Sequence, residues 1–117
     1  MKKEYSGIIV EESLDDNCLM NVLDITKVHI STQKNPKDRW HMYEVSVSEN
    51  EINFISKHII GNWYMHFWKS DKNIIAIFKD KVFKFNYDVK DSWKEVLDYG
   101  ISIGIPVQEL DFPINGL

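Results

Sequence analysis

What the chain lacks narrows it first. Among 117 residues there is one cysteine, Cys18. No bridge can close within the chain, and a reducing, cytoplasmic setting is the expectation. No apolar run reaches the roughly 20 residues that a membrane-spanning helix needs, so no membrane partner is expected. The start, Met1-Lys2-Lys3-Glu4-Tyr5, has no apolar stretch behind its lysines, so no leader peptide is expected either. The five glycines stand at positions 7, 61, 100, 104 and 116 and never cluster before a lysine, which excludes a phosphate-binding P-loop. There is no Gly-x-Ser-x-Gly elbow, and Cys18 has no base close in sequence, so nucleophilic catalysis has no recognisable seat. The four histidines, His29, His41, His58 and His66, are 12, 17 and 8 residues apart. None of these spacings puts two ligands on one helical turn, which is how metal sites usually announce themselves. No catalytic residue, metal ligand or cofactor is therefore assigned.

What is present is the balance of a folded protein: 44% hydrophobic and 27% charged residues, too apolar for a disordered chain. The length suits one domain over residues 1–117. The net charge of -4 argues against a general nucleic-acid binder, but it is unevenly spread. Residues 1–24 hold two lysines against six acids, residues 69–94 seven lysines against four acids, and residues 95–117 four acids and no base. A locally positive middle suits either a partner surface or hairpin edges guarded by lysine, and the second reading is the commoner one. The paired carboxylates Glu11-Glu12 would point to opposite faces of a strand. Asp15-Asp16 suits the start of a helix. Neither pair is read as a catalytic couple.

The periodicity predicts strands over 5–12, 25–33 and 40–48, the last two joined by a turn at 34–38 that carries Pro36. Tyr43, Val45 and Val47 form the inward face of the second hairpin strand, with His41 in the same row. A short helix is predicted over 13–24. Ser48 followed by Glu51 is a capping box, predicting a helix over 49–60 that ends at Gly61. An aromatic strand follows over 62–69, then strands over 74–79 and 82–87 in an antiparallel meander. The all-apolar run Ile74–Phe78 belongs in the sheet interior. Ser92 and Glu95 repeat the capping-box pattern before a helix that stops at Gly104 and Pro106. Gly100 inside that helix suggests close approach to the sheet. The tail from Val107 is read as an extended segment packing across the domain. The fold class is α+β: a largely antiparallel sheet of five to six strands with two to three helices packed on one face.

The densest aromatic run is Gly61-Asn62-Trp63-Tyr64-Met65-His66-Phe67-Trp68. Trp63, Met65 and Phe67 fall on one face of a strand, and Tyr64, His66 and Trp68 on the other. Only one face is needed for the core. The second is either sealed beneath helices or forms the wall of a groove, so Tyr64, His66 and Trp68 are the candidate ligand- or partner-binding residues.

The segments Gly61–Phe67, Ala76–Phe83 and Tyr99–Pro106, followed by Glu109-Leu110-Asp111-Phe112, resemble a family of small standalone prokaryotic proteins with no known activity. The resemblance runs from about Tyr5 to Phe112. It implies a prokaryotic or phage-borne cytoplasmic setting and brings no site residues.

Three functional expectations follow. The first is a non-enzymatic interaction module, binding a protein partner or forming a homodimer through the aromatic sheet surface or an exposed strand edge. The second is a small-molecule-binding protein or small acid–base enzyme with His66 in an aromatic groove. The third and weakest is RNA or single-stranded DNA binding through the lysine-rich meander 69–87, with Lys79, Lys81 and Lys84 beside Phe83 or Phe85.

Overall fold

Both faces of the run Ile74–Phe78 are apolar, and the structure buries both. The computed structural model describes residues 2–117. Six strands form one sheet: β1 (Tyr5–Val10), β2 (Asp24–Ile30), β3 (His41–Val47), β4 (Met65–Trp68), β5 (Asn73–Phe78) and β6 (Lys81–Asn86). Their order is β2-β3-β1-β4-β5-β6, every neighbour antiparallel. Two α-helices, α1 (Glu49–Ser56) and α2 (Lys94–Ser102), complete the α+β architecture with several short 3-10 turns.

The two helices lie on opposite faces of the sheet, not on the one face expected from element order. Alternation along β4 and β5 explains this. Met65, Phe67, Ile75 and Ile77 join Ile52 and Ile55 of α1 in one core, and Ile74, Ala76 and Phe78 join Val96 of α2 in another. Fully burying an isoleucine or phenylalanine contributes roughly 1.5–3 kcal/mol, so a strand apolar on both sides favours a cover on each.

Helix α1 begins as its sequence predicts. Ser48 accepts from the Glu51 amide at 3.2 Å and the Glu51 side chain accepts from the Ser48 amide at 2.9 Å. It ends at Ser56, short of the expected residue 60, because the next backbone groups are taken by another segment. His58 O accepts from Asp15 N and Ile60 N donates to Ser13 O, and Ile59 bridges to Leu14. The predicted helix over 13–24 is instead a pair of 3-10 turns, Glu11–Ser13 and Asn17–Val22, in a stretch of mediocre helix formers. The second capping box does not form. Ser92 Oγ accepts from Asn86 N at 3.1 Å, and the chain enters α2 through a 3-10 turn over Lys90–Trp93.

The aromatic strand is also shorter than expected. Gly61 is left-handed at φ 60°, and Trp63 N donates to Ile60 O, so residues 62–64 turn before β4 begins at Met65. At the C-terminal end the tail packs across the domain as expected, but it opens with a 3-10 turn over Val107–Glu109 and is not extended throughout. Leu110 and Phe112 are buried against α2 and the sheet. Gly104, at φ 95°, closes α2. Gly100 is indeed a point of close approach, but to the tail: a Cβ there would lie 2.8 Å from Leu110 Cδ1. Among the described residues no helix is long and apolar enough to cross a membrane.

Candidate functional site

On the α2 side of the sheet, cover is incomplete. Helix α2 and residues 105–112 shield β4, β5 and β6, while β1 and β3 on the same face carry no helix. The C-terminal segment crosses this face as a strap. Pro113 O sits 2.6 Å from His66 Nε2 on β4, Leu117 N donates to Glu44 Oε1 on β3 at 2.7 Å, and Lys27 Nζ on β2 reaches Leu117 O at 2.6 Å. Beside the strap lies a half-open groove of about 830 Å³. Its floor is Ile8 and Val10 of β1 and Met42 of β3. These are the residues that alternation turns away from the α1 core, since their strand neighbours Ile9 and Val45 are buried there.

The three residues expected to share a face do so, and all three line the groove. Tyr64 stacks on Phe78 with centroids 5.5 Å apart, and its hydroxyl donates to the Glu109 carbonyl. Burial, then the negative charges of Asp111 and Glu109, push its pKa up to about 12. The His66 ring lies 5.4 Å from Phe112, edge to face, and 5.6 Å from Trp68. Burial pulls its pKa down, against the Pro113 carbonyl and the Asp111 charge, which pull it up. The ring is therefore neutral at pH 7. With Nε2–H donating to Pro113 O, Nδ1 is left as an acceptor. Trp68 is half-buried beside it. Over Tyr64 and His66 the partial cover comes from the tail, through Phe112 and the Glu109 and Pro113 carbonyls, while α2 covers the neighbouring β5 and β6.

The opposite wall was not foreseen. Trp40, just before β3, and Trp63, in the turn before β4, meet edge to face with centroids 5.4 Å apart and line the groove together. They are 23 positions apart in the sequence, and no local pattern pairs them. The floor was more accessible: Ile8-Ile9-Val10 is apolar at three consecutive positions, which already implies that both faces of that strand meet apolar surroundings. Glu109, Asp111, Asn62 and Asn115 are the exposed polar residues of the lining and form its rim. Among the described residues no lysine or arginine lines the groove.

The lysines expected to support nucleic-acid binding are elsewhere. Lys84 pairs with Glu49 of α1 at 2.9 Å, Lys79 donates to Lys57 O, and Lys81 lies 6.0 Å over the Tyr99 ring. Phe85 is buried beneath Trp93 and Phe112. They form no strip beside Tyr64, His66 and Trp68. His41 and His66 do not meet either, because alternation places them on opposite faces of the sheet. His41 Nδ1 instead lies 2.8 Å from Glu12 Oε2, which raises the His41 pKa.

Together with Glu11, these two form the one group among the described residues whose ligand atoms lie close enough to hold a cation. Their atoms are already committed: Glu12 accepts from the His41 amide at 2.8 Å, and Glu11 accepts from Tyr43 Oη at 2.7 Å and from Asn17 Nδ2 at 3.2 Å. The arrangement reads as a hydrogen-bonded brace between the end of β1 and β3.

No family model matches the chain, and no curated protein or solved structure is detectably similar to it.

Proposed function

We propose that the protein is a non-enzymatic binding module that holds a small organic ligand in the groove between β1, β3, β4 and the C-terminal strap. One observation carries this: an 830 Å³ concavity with an apolar floor, aromatic walls on both sides and a few polar groups at its rim. That volume lies within the roughly 300–1,000 Å³ of ordinary ligand sites. The rings supply contact area with little conformational freedom to lose. The polar groups speak for recognition over reaction. His66 is neutral with its Nε2–H taken by Pro113 O, and Tyr64 stays protonated with its hydroxyl donating to Glu109 O. The lining serine, Ser13, is committed to Val10 O at 2.6 Å. Among the described residues that line the groove, no serine, threonine or cysteine stands beside a base.

The test is to fill the groove. In Met42→Trp, a large ring replaces a half-buried side chain on the floor. A panel of aromatic fragments followed by tryptophan emission should bind wild type and fail on the folded variant. Equal binding to both proteins would place the ligand elsewhere.

A second reading, self-association, rests on β2. This is an edge strand whose seven residues are all exposed, including Ile25, Val28 and Ile30. Pairing with a second copy would satisfy its free backbone edge. Light scattering at micromolar concentration decides it, since a species of 13.8 kDa is the lone chain.

A further inference from the structure

The groove's walls and rim differ in kind, and the difference specifies a ligand. Four large rings, Trp40, Trp63, Tyr64 and Trp68, line a cavity whose only charged residues, among the described ones, are Glu109 and Asp111. Of the 16 other acids, 8 have an ion-pair partner, among them Glu12 with His41, Asp15 with His58 and Glu49 with Lys84. Among the described residues neither Glu109 nor Asp111 has an ion-pair partner. Both are held in place by the fold, on either side of Leu110, which is clamped against Gly100.

From this arrangement we infer that the groove is selective for organic cations: an amine or ammonium head carried on an apolar body. The head would sit between the carboxylates and the aromatic faces, and the body on Ile8, Val10 and Met42. The inference rests on the groove being a ligand site and adds the ligand's chemical class.

The physical case has three parts. Ring faces carry negative potential and attract cations within about 6 Å. The carboxylates add net negative charge at the mouth, and with no basic residue in the lining nothing offsets it. Their field already acts on lining groups, since Asp111 and Glu109 both raise Tyr64 and Asp111 raises His66. The volume is too large for a bare ammonium ion, so an apolar body is needed to fill it. An anionic ligand would meet only repulsion at the rim.

The experiment uses three molecules of similar shape and different charge: phenylbutylamine, phenylbutanol and phenylbutyrate. Each is titrated into the full chain at pH 7 by calorimetry, and by tryptophan emission excited where phenyl groups do not absorb. The amine should bind about tenfold tighter than the alcohol, with the acid weakest. The preference should shrink in about 0.5 M salt. Glu109→Gln with Asp111→Asn should erase it, bringing the amine to the affinity of the alcohol. Equal affinity for amine and alcohol, or tightest binding of the acid, overturns the cation assignment and leaves the groove standing as a ligand site. No response to any of the three, in emission or heat, counts against the groove itself.

Discussion

Gly7 and Phe67 face each other across β1 and β4, and the phenyl ring occupies the space where a Gly7 side chain would be. A Cβ added there would lie 2.2 Å from Phe67 Cδ2 and 2.9 Å from His66 O. This seam is narrow, with Ser6 opposite Trp68 and Gly7 opposite Phe67 the only two register pairs. It joins the hairpin half of the sheet to the meander half, and the groove straddles it, with Ile8 and Val10 on one side and His66 and Trp68 on the other. Gly7→Ala should therefore destabilise the fold by about 1–3 kcal/mol, the usual cost of overpacking. Adding Phe67→Leu should recover part of that loss, although Phe67→Leu alone is destabilising. Urea titrations of the four proteins give the coupling. Strict additivity would show that the ring and the glycine do not share this space.

Gly100 offers the same test on the other side of the groove. In an exposed helix interior, glycine to alanine gains roughly 1 kcal/mol. Here the new Cβ would press on Leu110, whose side chain is only 2% exposed and has nowhere to retreat. Gly100→Ala should lose stability in the wild-type background. In a Leu110→Ala background, itself destabilised by about 2–5 kcal/mol, the same change should become favourable. A gain in both backgrounds would contradict the packing described between α2 and the tail.

How much of this was legible in the sequence depends on the range over which each signal acts. The alternation in Tyr64, His66 and Trp68 is local, and those residues share a face as their spacing requires. The Ser48–Glu51 capping box is local and forms. Ser92 and Glu95 have the same spacing, but Asn86 claims the serine hydroxyl, so the same pattern gives a different start. The length of α1 was misjudged because residues 58–60 pair with Ser13–Asp15, a contact 40 and more positions away in the chain. Trp40 was invisible as a wall residue for the same reason: its partner Trp63 is placed by the crossover through α1. The rim could have been suspected from Glu109 and Asp111 in a segment without bases, but only the strap's path puts them over β4.

The strap should be the most easily released part of the site. Gly116 lies so close to Glu44 that a Cβ there would approach Oε1 to 2.0 Å, and the Glu44 carboxylate also accepts from Leu117 N. Glu44→Ala removes this anchor. Amide exchange at residues 114–117 should accelerate, while global stability changes by no more than about 1 kcal/mol, as expected for one surface hydrogen bond. Unchanged exchange would mean that Glu44 does not hold the tail.

His66 and His41, hydrogen-bonded on opposite faces of the sheet, should affect acid stability with opposite signs. Burial lowers the His66 pKa in the fold. Its contribution is full above about pH 6.5, the ordinary imidazole value, and is lost as the pH falls towards the depressed folded value, because the unfolded chain then takes up a proton that the folded chain refuses. His41 is raised by its hydrogen bond to Glu12. Its contribution is full below about pH 6.5 and is lost as the pH rises through the raised value. Thermal melts from about pH 5 to 8 should show a fall towards acid that flattens in His66→Gln, and a small opposite change in His41→Gln. A His66→Gln profile parallel to wild type would contradict a half-buried neutral ring.

The four tryptophans provide the most direct test of the groove. Trp40, Trp63 and Trp68 line it, whereas Trp93 packs against Phe85 and Phe112 with its indole N–H donating to Asn86 O at 2.9 Å. Each gives one indole N–H signal in a nitrogen-15 correlation spectrum. On titration with phenylbutylamine, the signals of Trp40, Trp63 and Trp68 should move together along one saturating curve, with that of Trp93 fixed. Movement of Trp93 alone, or saturable binding that leaves the other three in place, would contradict the account.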